Sequence, residues 1–146
     1  SKLIYALKIN MTKLLIISFF FVSTIFLIID VLWLSITVKS LYRPALGSLL
    51  NDKPVMWAAV LFYIIYMIGL ALIIIKPALA NDSIVQALWT GVVFGVVAYG
   101  TYNLTNMATV KNWSAIIVWI DMIWGGLLTG FSSAVGIYLT KVFFTN

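Results

Sequence analysis

Apolar residues fill four long stretches of the chain, each broken by isolated polar positions and separated from the next by a connection containing polar residues or proline. A hydrocarbon core of roughly 30 Å takes about 20 apolar residues per helix, and the stretches near 14–38, 55–75, 84–106 and 114–140 all reach that length. In lipid the backbone must satisfy its own hydrogen bonds, so these stretches predict helices. The expected fold is an all-α membrane protein, one domain over residues 1–146, built as an antiparallel bundle of four transmembrane helices.

The connections refine this outline. The longest runs from Lys39 to Pro54, and its Leu41-Tyr42-Arg43-Pro44-Ala45-Leu46-Gly47 mixes basic and apolar residues as a segment lying in the headgroup layer would. Pro44 is suited to open a short helix there. Lys76-Pro77 predicts a helix stop before a polar turn that ends at Ser83. The third connection, around Thr109–Asn112, is short. Lys8 and Lys13 precede the first apolar run as in a signal peptide, but the run is too long and no small-residue cleavage pattern follows, so a retained helix is expected. Residues 1–10 precede a Met-Thr-Lys resembling a natural start and read as a peripheral extension.

Composition agrees with the pattern: of 146 residues, 64% are hydrophobic and 9% charged, with a mean hydropathy of +1.13, far from a soluble domain. There is no cysteine and no histidine, which removes disulfides, thiolate chemistry, histidine-ligated metal or haem, and imidazole acid–base schemes. No metal or other cofactor is expected. The net charge of +5 comes from residues at the ends of the apolar runs, which suits anionic membrane lipids as partners and makes nucleic acid a poor explanation. Lys2, Lys8, Lys13, Lys76 and Lys141 fall on one side and Lys39, Arg43, Lys53 and Lys111 on the other. That narrow excess leans towards cytoplasmic termini.

The chemistry concentrates on two of the four acidic residues. Asp30 and Asp121 lie inside apolar runs, where a carboxylate costs about 2.5–3.5 kcal/mol at a helix centre, and each is followed three residues later by tryptophan, Trp33 and Trp124. In an antiparallel bundle the end of the first helix and the start of the fourth share one membrane face. At 1.5 Å per residue both carboxyls then lie roughly 10–12 Å below it. The same level of the second helix holds Tyr63 and Tyr66, and that of the third holds Tyr99, Tyr102, Asn103 and Asn106. Ser23, Asp30 and Thr37 share one stripe of the first helix. On the third, Gly91, Gly95, Tyr99, Tyr102 and Asn106 follow a four/three spacing. No basic residue lies at that depth, so a protonated acid, a bound cation or trapped water is expected in place of an ion pair.

These groups are candidate ligand contacts, and they also fit interhelical hydrogen-bonding that only holds the bundle together. Trp33 and Trp124 fit a pocket wall or plain packing, while Trp57, Trp89 and Trp113 sit as interfacial anchors and Trp119 faces lipid. Gly91-x-x-x-Gly95 and Gly126-x-x-x-Gly130, continued by Ala134, read as seams of close helix approach. The half of the bundle away from the carboxyls reads as dry.

Several short motifs together resemble a family of small bacterial membrane proteins known as domain of unknown function 2177. They are Asp30-x-x-Trp33-Leu34, Pro44 with Leu46-Gly47, Phe62-Tyr63-x-x-Tyr66-x-x-Gly69, Pro77-Ala78, the run from Tyr99 to Thr109 followed by Trp113, and Asp121-x-x-Trp124-Gly125. The resemblance extends from about Lys13 over nearly the whole chain and implies a four-helix inner-membrane protein, with no established activity. The family pattern usually has aspartate where this chain has Asn103, so a carboxylate role there does not carry over.

Three functional classes are compatible with the sequence. The leading one is a one-sided polar pocket that binds a small cation, a polar small molecule or a lipid headgroup, with a transport role open. The others are a membrane enzyme acting on a lipid or isoprenoid, for which the sequence offers only a bare acid pair, and a structural subunit of a larger complex. A homo-oligomer would widen the thin wall that four helices make for a transport path.

Overall fold

The computed structural model describes residues 2–145, and within them four helical spans are long and apolar enough to cross a membrane: Asn10–Leu49, Met56–Ala80, Ile84–Thr109 and Ala115–Phe144. The protein is an all-α four-helix membrane protein. The first span comprises α1 (Lys2–Thr37), a π-helical turn (Val38–Tyr42) and α2 (Arg43–Leu46). The second comprises α3 (Met56–Leu70), a second π-helical turn (Ala71–Ile75) and α4 (Lys76–Ala80). The third and fourth are α5 (Ile84–Thr109) and α6 (Ala115–Phe144). The amino-terminal extension is helical and continuous with the first span.

The π turns explain how both prolines sit inside helical runs. A proline has no N–H to donate and its ring clashes with the carbonyl four residues earlier. For Pro44 and Pro77 that carbonyl belongs to Ser40 and Ile73, each inside a π turn whose wider winding relieves the clash. The two modules are near copies: five π-helical residues, then Arg43-Pro44-Ala45-Leu46 or Lys76-Pro77-Ala78-Leu79. Pro44 opens its short helix as expected. Pro77 does not stop the second helix, which continues to Ala80 because the break is absorbed upstream.

Local signals end the helices elsewhere. Gly47 takes φ 55°, which glycine adopts without a Cβ penalty, and closes α2. Asp82 and Asn112 adopt left-handed conformations, φ 49° and 59°, in the two tight turns flanking α5. Ser83 caps α5 by accepting from the Gln86 N–H at 3.0 Å.

Glycine governs the packing. The closest pairing is α5 with α6, where a Cβ on Gly91 would lie 2.9 Å from the Gly130 Cα and one on Gly126 would lie 2.8 Å from a Val96 methyl. The inward stripe of α5 runs through Gly91, Gly95, Tyr99 and Asn103 in steps of four, so Asn103 turns inward in place of Tyr102 and Asn106. Gly136 gives α1 the same access to α6, with a Cβ there 2.8 Å from the Val22 backbone nitrogen. The interior away from the carboxyls is not wholly dry: Ser18 donates to Thr140 at 2.9 Å, and Thr129, Ser132 and Ser133 are fully buried.

The second span is held differently along its length. From Ala71 onward it packs against α1, α5 and α6, whereas α3 makes few close backbone approaches to the other spans. Its first two turns are bare, with Met56 62% and Trp57 72% exposed. The end of the bundle that holds the two aspartates is therefore open along the side of α3.

Candidate functional site

Asp30 and Asp121 come together as depth and topology require. Asp30 is 5% exposed, and Asp121 lies near the end of the second turn of α6 and borders a cavity of about 400 Å³ together with Asp30. Trp33 and Trp124 stack face to face, with ring centroids 4.1 Å apart and planes 10° apart. This contact fixes the level of α1 against α6.

The two Asp-x-x-Trp motifs cross over. The Trp124 indole donates to Asp30 Oδ1 at 3.1 Å, so the tryptophan of α6 serves the aspartate of α1. The Trp33 indole donates to the Tyr42 hydroxyl at 3.3 Å, and Tyr42 donates to Asp121 Oδ1 at 2.6 Å. The remaining oxygens are held by Tyr63, whose hydroxyl makes a short hydrogen bond to Asp30 Oδ2, and by Asn103 Nδ2, 2.5 Å from Asp121 Oδ2. Each carboxylate oxygen thus accepts one protein donor. A carboxylate oxygen can accept more than one hydrogen bond, so each has capacity left for a ligand N–H. Asn103 is fully buried, its Oδ1 has no hydrogen-bond partner, and it holds Asp121 without itself bordering the cavity.

Among the described residues no lysine or arginine pairs with either carboxyl, the one ion pair there being Lys141 with Asp82 at the opposite end of the bundle. No cluster of three or more metal-ligating side chains occurs among those residues either. The cavity walls are mainly aromatic, from Trp33, Tyr42, Phe62, Tyr99, Tyr102 and Trp124, with Leu34 and Ala98 completing them. Gly125 makes one wall feasible, since any Cβ there would penetrate the Tyr99 ring. Phe62, on α3, is 44% exposed and stands at the open flank.

Two expected site residues lie elsewhere. Tyr66 is one short helical step beyond Tyr63, which turns it into the core, where its hydroxyl bonds Thr129 Oγ1 at 2.8 Å. Asn106 lies near the end of α5 beside the Tyr102 hydroxyl and does not reach a carboxyl. Tyr102 borders the cavity but is 58% exposed, its ring edge-on to Trp113. The residue that sequence reasoning placed outside the site is Tyr42, assigned to a headgroup-layer connection. The usable signal was the Arg-Pro-Ala-Leu and Lys-Pro-Ala-Leu repeat, which marks both prolines as internal to their helices.

A second cavity, of about 520 Å³, adjoins the first and shares Leu34, Tyr42, Tyr102 and Asp121 with it. Arg43, Asn51, Asp52 and Trp113 border it at the connection end. Trp113 borders this cavity as a residue, and its indole nitrogen is buried without a protein acceptor, a situation that costs about 1–3 kcal/mol if nothing else meets it.

Fold and site together define a small four-span integral membrane protein with paired intramembrane carboxyls. A family model described as a predicted membrane protein, DUF2177, matches residues 15–138, and the chain belongs to that family. No curated protein and no solved structure matches the chain.

Proposed function

We propose that this protein binds a membrane amphiphile carrying a cationic amine, the amine seated between Asp30 and Asp121 and the apolar part leaving along the side of α3. The observation that carries this reading is the acceptor set: two carboxyls bordering one cavity, each oxygen held by a protein donor with capacity left for another, and no basic residue paired with them among the described residues. A primary ammonium brings three N–H donors and the missing charge. At 4 Å and an effective dielectric of about 20, one ammonium–carboxylate contact is worth about 4 kcal/mol, comparable to the about 2.5–3.5 kcal/mol that one aspartate costs on insertion. The aromatic walls add cation–π attraction of about 0.5–2 kcal/mol. The bare first turns of α3 favour arrival from within the bilayer over arrival from water. We place both termini in the cytoplasm on the distribution of basic residues, and the protein in a bacterial inner membrane on the family resemblance alone.

The test is thermal unfolding in detergent with dodecylamine, dodecanol and dodecanoate as probes. Saturation at about 100 times Kd stabilises by about 2.7 kcal/mol, so dodecylamine should raise Tm clearly and the other two should not. Asp30→Asn and Asp121→Asn should remain helical and lose the shift. Equal shifts from all three probes, or an undiminished shift in both variants, would overturn the reading.

A further inference from the structure

The second cavity carries a more specific statement about the ligand. The two cavities lie side by side, with Leu34, Tyr42, Tyr102 and Asp121 bordering both, so the groups of each are within the span of one headgroup. Its far side offers what the first lacks. Arg43 is a fixed positive charge whose Nη2 reaches only the Asn51 carbonyl oxygen, at 3.3 Å, and forms no ion pair among the described residues. The buried Trp113 Nε1 is a donor with no protein acceptor. Arg43 follows Tyr42 directly, so the hydroxyl that anchors Asp121 and the guanidinium are placed by one helical turn.

Acceptors for an ammonium on one side of Tyr42 and donors for an anion on the other describe a zwitterion. We infer that the amphiphile is an aminophospholipid of the ethanolamine type, its primary amine between Asp30 and Asp121 and its phosphate held by Arg43 and the Trp113 indole N–H. This rests on the amine reading given above. Arginine matches a phosphate with paired N–H donors. A choline headgroup keeps the charge but has no N–H to give Asp30 or Asp121. A glycerol headgroup keeps the phosphate but has no cation for the carboxyls. Asp52 also borders the cavity; it is exposed, lies in the connection and forms no ion pair with Arg43.

Native mass spectrometry of the detergent-solubilised protein, titrated with dioleoyl lipids bearing ethanolamine, choline or glycerol headgroups, tests this. The ethanolamine lipid should bind about tenfold more tightly than the other two, the effect of one additional charge-assisted hydrogen bond. Arg43→Gln should bring the ethanolamine lipid down to the level of the choline lipid while leaving the dodecylamine Tm shift unchanged. Trp113→Phe, which keeps the ring and removes the donor, should weaken the ethanolamine lipid severalfold, and Asp52→Asn should not weaken it. Equal binding of the three lipids with dodecylamine still stabilising would overturn this inference and leave the amine reading standing. Loss of dodecylamine stabilisation in the wild-type protein would remove that reading itself. Arg43→Gln weakening dodecylamine and phospholipid alike would place Arg43 in the fold and overturn its role at the phosphate.

Discussion

Replacing Gly95 by alanine tests the packing on which the site depends. A Cβ at Gly95 would stand 2.6 Å from the Gly125 carbonyl carbon and 2.8 Å from Thr129 Oγ1, with the Gly125 oxygen closer still. Ordinary contact begins at 3.4 Å, so α5 and α6 must part by at least about 0.8 Å (3.4 less 2.6). A gap of 0.5–1 Å forfeits a quarter to a half of each dispersion contact along the seam, and overpacking of this kind costs about 1–3 kcal/mol. Alanine returns about 1 kcal/mol of helix propensity, which offsets only part of the larger figure. Gly69→Ala is the matched control, since its Cβ meets only Phe94 Cζ at 3.4 Å, and it should be neutral or stabilising. Reversible unfolding in mixed micelles, followed by helicity, reads both. Gly95→Ala should lower stability relative to Gly69→Ala by more than the about 1 kcal/mol both gain. Two variants of equal stability would show that the seam yields freely and that the argument from close approach is wrong.

Two further outcomes follow from the geometry. Tyr42→Phe removes the hydroxyl between the Trp33 indole and Asp121, and hydrogen bonds to charged groups contribute about 1.5–3 kcal/mol; it should therefore unfold earlier than Tyr138→Phe at an exposed site, and equal midpoints would argue against the link. Pro77→Ala restores a backbone N–H, so the π turn at Ala71–Ile75 should relax to α-helical pairing and its amides should gain hydrogen-exchange protection. Unchanged exchange would mean that the proline is not the cause of the wide turn.

Much of this arrangement was legible from spacing. An ionisable residue in an apolar run is conspicuous, and counting residues from each span's end placed Asp30 and Asp121 at one level, which the indole stack bears out. The glycine repeats likewise marked the α5–α6 seam. Tyr42 was hidden because Lys39 and Pro44 resemble the end of a span, and a π turn leaves no simple periodic signature. Tyr66 and Asn106 share the depth of the site but not its direction. Each lies three residues from an inward neighbour, Tyr63 or Asn103, which at about 100° per residue leaves it about 60° round the helix, so depth can be read from spacing more securely than facing. The inward serines and threonines were inconspicuous for a different reason: a hydroxyl in a helix can bond its own preceding turn, as Thr140 does with the Gly136 carbonyl, and so is not costly to bury.

The crossed motifs also impose an order on biosynthesis. Asp30 and the indole that serves it are 94 residues apart, which at 5–20 residues per second separates their synthesis by roughly 5–19 s. Tyr63 emerges after 33 residues, so the nascent first helix meets its donors in two instalments, the second only once the last helix has begun. The burden of this aspartate therefore falls on the ribosome-bound chain, and a truncation that ends before Trp124 should be cleared by membrane proteases while the full-length product persists.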